Sequence, residues 1–110
     1  MSLQIAQEKY DLASHLLTVT FPIIKDPKLF ISICQNILEG VVLLDSKNSM
    51  ITELSTINEL YLKSPMAFRR KDMFIICDEE FDLEPLTENR INAFLHRFKE
   101  LLTIYNCTIR

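Results

Sequence analysis

From Asp26 to Asp45 the chain runs DPKLFISICQNILEGVVLLD, and its apolar residues fall in adjacent pairs: Leu29/Phe30, Ile33/Cys34, Ile37/Leu38 and Val41/Val42. A four-residue step keeps those pairs on one broad helical stripe, which predicts a central helix wide enough to touch more than one partner. Asp26 is placed to accept from the free amides of the first turn, and Pro27 loses nothing at the first helical position. Gly40 weakens the run by about 1 kcal/mol relative to Ala. The missing side chain there predicts that another backbone comes close.

The flanking segments repeat the helical period more weakly. Over residues 3–21, Ile5, Ala6, Tyr10, Ala13, Leu16, Leu17 and Val19 form an inner side, with Gln7, Glu8, Asp11, Ser14 and Thr18 outside. Pro22 ends or kinks this first helix. The short link FPIIKDP predicts antiparallel neighbours, with Phe21, Ile23 and Ile24 plugging the end of the bundle. After the polar break Ser46–Ser49, Met50, Leu54, Ile57 and Tyr61 mark a third, shorter helix. Thr56 and Glu59 have capping-box spacing, so this helix starts either at the break or near Thr56, and Ser64-Pro65 closes it.

Residues 66–86 lose the helical period. Met73–Cys77 is a continuous β-prone run, and Phe81 and Leu83 resume alternation toward Pro85. The reading is a short two-stranded arm or an extended segment packed across the bundle; an isolated hairpin is marginal in water, so the arm must lean on the helices or pair with a second chain. Thr87 is then a good N-cap for a last helix, whose Ile91, Phe94, Leu95, Phe98, Leu101, Leu102 and Tyr105 follow a three-four alternation. The expected fold class is all-α. It is one domain over 1–110, a four-helix up-down bundle with a short β-hairpin arm before the last helix.

Composition agrees and narrows the chemistry. The 110-residue chain has a single glycine, which argues against a turn-rich β fold, and it is long enough to bury a core without disulfides or metal. Cys34, Cys77 and Cys107 are odd in number and lack metal-ligand spacing, so they read as reduced thiols, with Cys34 and Cys77 as small buried hydrophobes. No basic segment followed by an apolar core opens the chain, and Gln35, Asn36 and Glu39 interrupt its most apolar stretch. A soluble cytoplasmic protein without cofactor is expected. A net charge of -3 does not suggest a general polyanion binder.

Local charge is more pointed. Arg69, Arg70 and Lys71 precede the β-prone run, and Asp78, Glu79, Glu80, Asp82 and Glu84 follow it. The acidic run lacks the glycine and alternating ligands of a calcium loop and reads as a charged turn. Asp11 and His15 are spaced for a helical surface pair, or for a carboxylate that orients a base. A homodimer is expected because the apolar faces of the central helix and the arm exceed what one small bundle covers, with contacts near Gly40 and at 73–77.

Arg90 and His96 stand as R-x5-H on the outer face of the last helix, together with Arg97. This layout resembles the HEPN superfamily, small helical bundles that dimerise and whose active members are ribonucleases with an arginine and a histidine at such a spacing on a late helix. The wording VTFPIIKDPKLF and FRRKDMFIICDEEF also resembles an uncharacterised group of small archaeal helical proteins. The HEPN resemblance implies His96 as general acid/base, Arg90 holding the scissile phosphate and Arg97 as a second phosphate contact. In the active pattern a small polar residue follows the arginine, whereas here Ile91 does. The leading expectation is therefore a non-catalytic binding module of HEPN-like build, with a metal-independent endoribonuclease as the alternative. Arg69, Arg70, Lys71 and Arg97 are its candidate binding residues for a protein or RNA partner. A solvated polar face accounts for the same residues without any function.

Overall fold

Helix α1 (Ser2–His15), a π-helical turn (Leu16–Thr20) and α2 (Phe21–Ile24) follow one another without a break, in a computed structural model. It describes residues 2–109 except 65, 79 and 81, and side chains only within 3–105. Pro22 thus lies inside a helical rod and does not end it. Its ring has no N–H to offer and crowds the carbonyl one turn back. The wider π turn absorbs this conflict, with the Phe21 N–H donating to the carbonyl of Leu16. The rod stops at Lys25, which adopts a left-handed φ of 57° while its N–H donates to the Phe21 carbonyl at 2.7 Å. Phe21 is buried, but Ile23 and Ile24 are 77% and 58% exposed, so they do not plug the bundle end.

The inner seam of α1 is Leu3, Ala6, Tyr10 and Ala13, continued by Leu17 of the π turn. Ile5 and Val19, expected inside, lie with Leu12 on the outer flank. At about 100° per residue they point a third of a turn or more away from that seam. Helix α3 (Leu29–Leu44) packs against α1, α4 (Ser49–Lys63) and α5 (Glu88–Ile109), as a broad stripe requires. Asp26 Oδ1 accepts from the Lys28 N–H at 3.0 Å, and the next three amides reach back three residues, giving a tight first turn. Phe30, Ile33, Cys34, Ile37 and Val41 are buried, while Val42 is exposed.

Asn48 caps α4: its Oδ1 accepts from the Met50 N–H at 2.9 Å. Thr56 donates to the Thr52 carbonyl in mid-helix, so the helix begins at the polar break and not at Thr56. Asn48→Ala should lower stability by about 1 kcal/mol, read as a lower urea midpoint at unchanged slope.

Three strands, not two, precede the last helix: β1 (Met66–Arg70), β2 (Met73–Cys77) and β3 (Leu83–Leu86), antiparallel in the order β1-β2-β3. The fold is predominantly helical with a small sheet, so all-α is corrected. The strand added to the expected pair is β1, and Pro85 is tolerated in β3 because β3 is an edge. Central β2 sends Phe74 and Ile76 into the helical core, and the Tyr61 and Phe74 rings lie 5.9 Å apart. Thr87 caps α5 through Oγ1, which accepts from the Arg90 N–H at 3.1 Å. On α5, Ile91, Phe94, Leu95, Phe98 and Leu102 are buried. Gly40 faces the Phe98 ring rather than another backbone. Among the described residues no helix is long and apolar enough to cross a membrane. The Cys107 side chain and residues Glu79 and Phe81 lie outside the described set.

Candidate functional site

Arg90 sits in the first turn of α5, directly after β3, and its guanidinium turns back onto that strand. Nη1 pairs with Glu84 Oε1 at 2.5 Å and donates to the Pro85 carbonyl at 3.0 Å, and the guanidinium carbon lies 5.9 Å from the centre of the Phe94 ring. One side chain therefore fastens β3 to α5. His96 takes another partner, Glu100, with Nε2 and Oε1 2.9 Å apart on the open face of α5. Arg97 pairs with Glu53 at 3.0 Å and ties α5 to α4. The structure thus gives Arg90, His96 and Arg97 three separate carboxylate partners and does not gather them around one position.

His96 does border an open groove of about 560 Å³ between α1 and α5, with Tyr10, Ser14, Thr18, Asn92 and Lys99 on its walls. Sequence reasoning placed Ser14 and Thr18 on an outer face but had no signal for the helix that faces them. Asp11, expected beside His15, instead accepts from Gln7 Nε2 at 3.0 Å.

The sheet arm concentrates what remains. Every residue of β1 is exposed, and in the order β1-β2-β3 its outer edge faces no strand. Met66 lies opposite Cys77, Phe68 opposite Ile75 and Arg70 opposite Met73, and on the other side of β2 Pro85 meets Ile75 and Leu83 meets Cys77. Alternation puts these residues on the outer sheet face, where the flanking Met66 is 57% and Leu83 54% exposed and the central Ile75 and Cys77 are buried. Segment 73–77, expected to offer the contact, is the central strand. Of the two edges, β3 carries Pro85, which offers no N–H, and is fastened to α5 by Arg90, which leaves 66–70 as the open one.

Charge is sorted to the two ends of this arm. Arg69, Arg70 and Lys71 cluster at the β1–β2 turn, where Lys71 holds a left-handed φ of 54°. Asp78, Glu80 and Asp82 form the β2–β3 connection at the opposite end, and Asp78 Oδ1 accepts from the Glu80 and Asp82 amides at 2.8 Å each. The acidic run therefore shapes a turn. Among the described residues, neither the basic cluster nor Glu80 and Asp82 form an ion pair.

Two free thiols are buried among the described residues, Cys77 in β2 and Cys34 in α3. Burial pushes the Cys34 thiol from the ordinary 9.0 up to about 12, against a smaller downward pull from the Arg90 cation. A thiol so held is protonated and inert at neutral pH. No family model, no curated protein and no solved structure matches this chain.

Proposed function

We propose that the chain is a non-catalytic, cytoplasmic interaction module of HEPN-like build, an up-down helical bundle that engages its partner through the sheet arm. The observation that carries this reading is the β1 edge, exposed at all five residues and unpaired on its outer side. Unpaired strand edges template the addition of another strand, and a module that binds this way needs no reactive group. The engagement of Arg90 by Glu84 and Pro85 speaks the same way, since a phosphate would have to displace both. Inert, reduced Cys34 suits the cytoplasm.

RNA cleavage tests the reading. The parent protein is expected to leave single-stranded RNA intact, and His96→Ala is expected to change nothing, in either cleavage or fold, because the His96 side chain is 73% exposed. Parent cleavage that falls by a factor of about 100 to 10,000 in His96→Ala would establish the metal-independent endoribonuclease instead.

A further inference from the structure

We infer that the occupant of the β1 edge is a second copy of this chain, added antiparallel about Phe68 to make a continuous six-stranded sheet. The inference rests on the interaction-module reading and names its partner. Three pairings follow from this register. A two-fold axis at Phe68 places Phe68 against its own copy, Met66 against Arg70 of the second copy, and Ala67 against Arg69 of the second copy. The apolar outer faces, with Met66, Phe68 and Leu83, then join across the seam on one side of the sheet.

Charge selects the same arrangement. The β1–β2 turn carries Arg69, Arg70 and Lys71, with Asp72 as the lone acid. It lies at the end of β1 opposite to Met66, whose strand neighbour Cys77 leads directly into Asp78, Glu80 and Asp82. Antiparallel addition brings the basic end of each copy to the acidic end of the other. At a strand spacing of about 4.8 Å, Arg70 of one copy stands about 10 Å from the acidic turn of the other, a gap an extended arginine spans. A parallel in-register pairing would instead stack Arg69 and Arg70 on their own copies. Charged residues on an edge normally block pairing, but here they disfavour the parallel arrangement and suit the antiparallel one.

The basic edge also leaves room for the copy. None of β1's five residues is buried, and the sheet reaches the helices mainly through β2 and α4. The expected contact at Gly40 is closed, because Phe98 covers it. A competing interface is the outer flank of α1, where Ile5, Leu12 and Val19 recur every seven residues with 43%, 47% and 45% exposure. That stripe has no complementary charge to define an occupant.

Sedimentation equilibrium at tens of micromolar tests the proposal, with the parent expected at twice the 12.9 kDa of one chain. Phe68→Glu puts like charges directly opposite one another and should weaken association at least about tenfold, with unchanged circular dichroism. Arg70→Glu should weaken it too, and adding Glu80→Lys and Asp82→Lys to that variant should restore it. Leu12→Glu should leave the dimer intact. Hydrogen exchange should show β1 amides protected in the parent and released by Phe68→Glu, a readout that mere misfolding would spread over the whole chain. A monomeric parent overturns the inference, as does a dimer that survives Phe68→Glu or dissociates on Leu12→Glu. Those results leave the non-catalytic reading standing, which only His96-dependent RNA cleavage removes.

Discussion

Gly40→Ala is expected to destabilise the protein, although alanine gains about 1 kcal/mol over glycine in a helix interior. A Cβ at this position would strike Phe98 at Cζ, with Cε2 at 2.9 Å and Cε1 at 3.1 Å. The ring is fully buried and held edge-on by Tyr10 at 5.5 Å, so it is not the loose tip of a flexible chain. Overpacking of this kind costs about 1–3 kcal/mol and outweighs the propensity gain, leaving a net loss of up to about 2 kcal/mol. A larger, β-branched residue adds the cost of its own poor helix propensity, so Gly40→Val should lose about 3 kcal/mol or more. Urea denaturation measures both. Trimming the ring in the Gly40→Ala background, as Phe98→Leu, should recover part of the loss, because residues in contact couple by about 0.5–3 kcal/mol. A stabilised Gly40→Ala would mean that the α3–α5 seam yields, and the close approach would then not explain the glycine.

The same position shows what the sequence could and could not reveal. A lone glycine in a strongly apolar helix signals a close approach, but its neighbour lies 58 residues further on, and pattern alone does not say whether ring or backbone arrives. Local signals carried well. The turn that Asp26 closes before α3, the Thr87 cap and the inner face of α5 all follow from a few adjacent residues, and each is found. Features set by competition between local rules were misjudged. Pro22 suggested a helix end or a kink, and of the two the structure shows an irregularity, one π turn that lets the rod continue. The β1 strand hid behind Arg69 and Arg70, which read only as the charged flank of the β-prone run, and its turn uses Lys71 where glycine would have been the recognisable mark. The R-x5-H pair was visible, but spacing did not foretell that Glu84 would take the arginine, since that depends on β3 being a strand.

Cys34 supplies the other large expected effect, a loss of stability in alkali that one substitution should reduce. Its thiol is raised from 9.0 to about 12, first by burial, with Arg90 opposing. Below pH 9 the thiol is neutral in both the folded and unfolded states, so it adds nothing to the pH dependence. Between pH 9 and about 12 the unfolded chain releases the proton and the folded chain keeps it. The native state then binds more protons, and stability must fall as pH rises, by up to about 1.4 kcal/mol per pH unit. Across the whole window that amounts to about 4 kcal/mol, comparable to much of the stability of an ordinary small domain. Tyrosines and lysines titrate in the same range, so the informative quantity is the difference between the parent and Cys34→Ala, measured by urea denaturation at pH 8, 10 and 11. The variant starts lower, because it leaves a small cavity in the seam of α3. Its curve should nonetheless fall less steeply with pH and approach or cross that of the parent. Parallel curves would show that the thiol ionises as readily inside the fold as outside it, and that the core around α3 admits water.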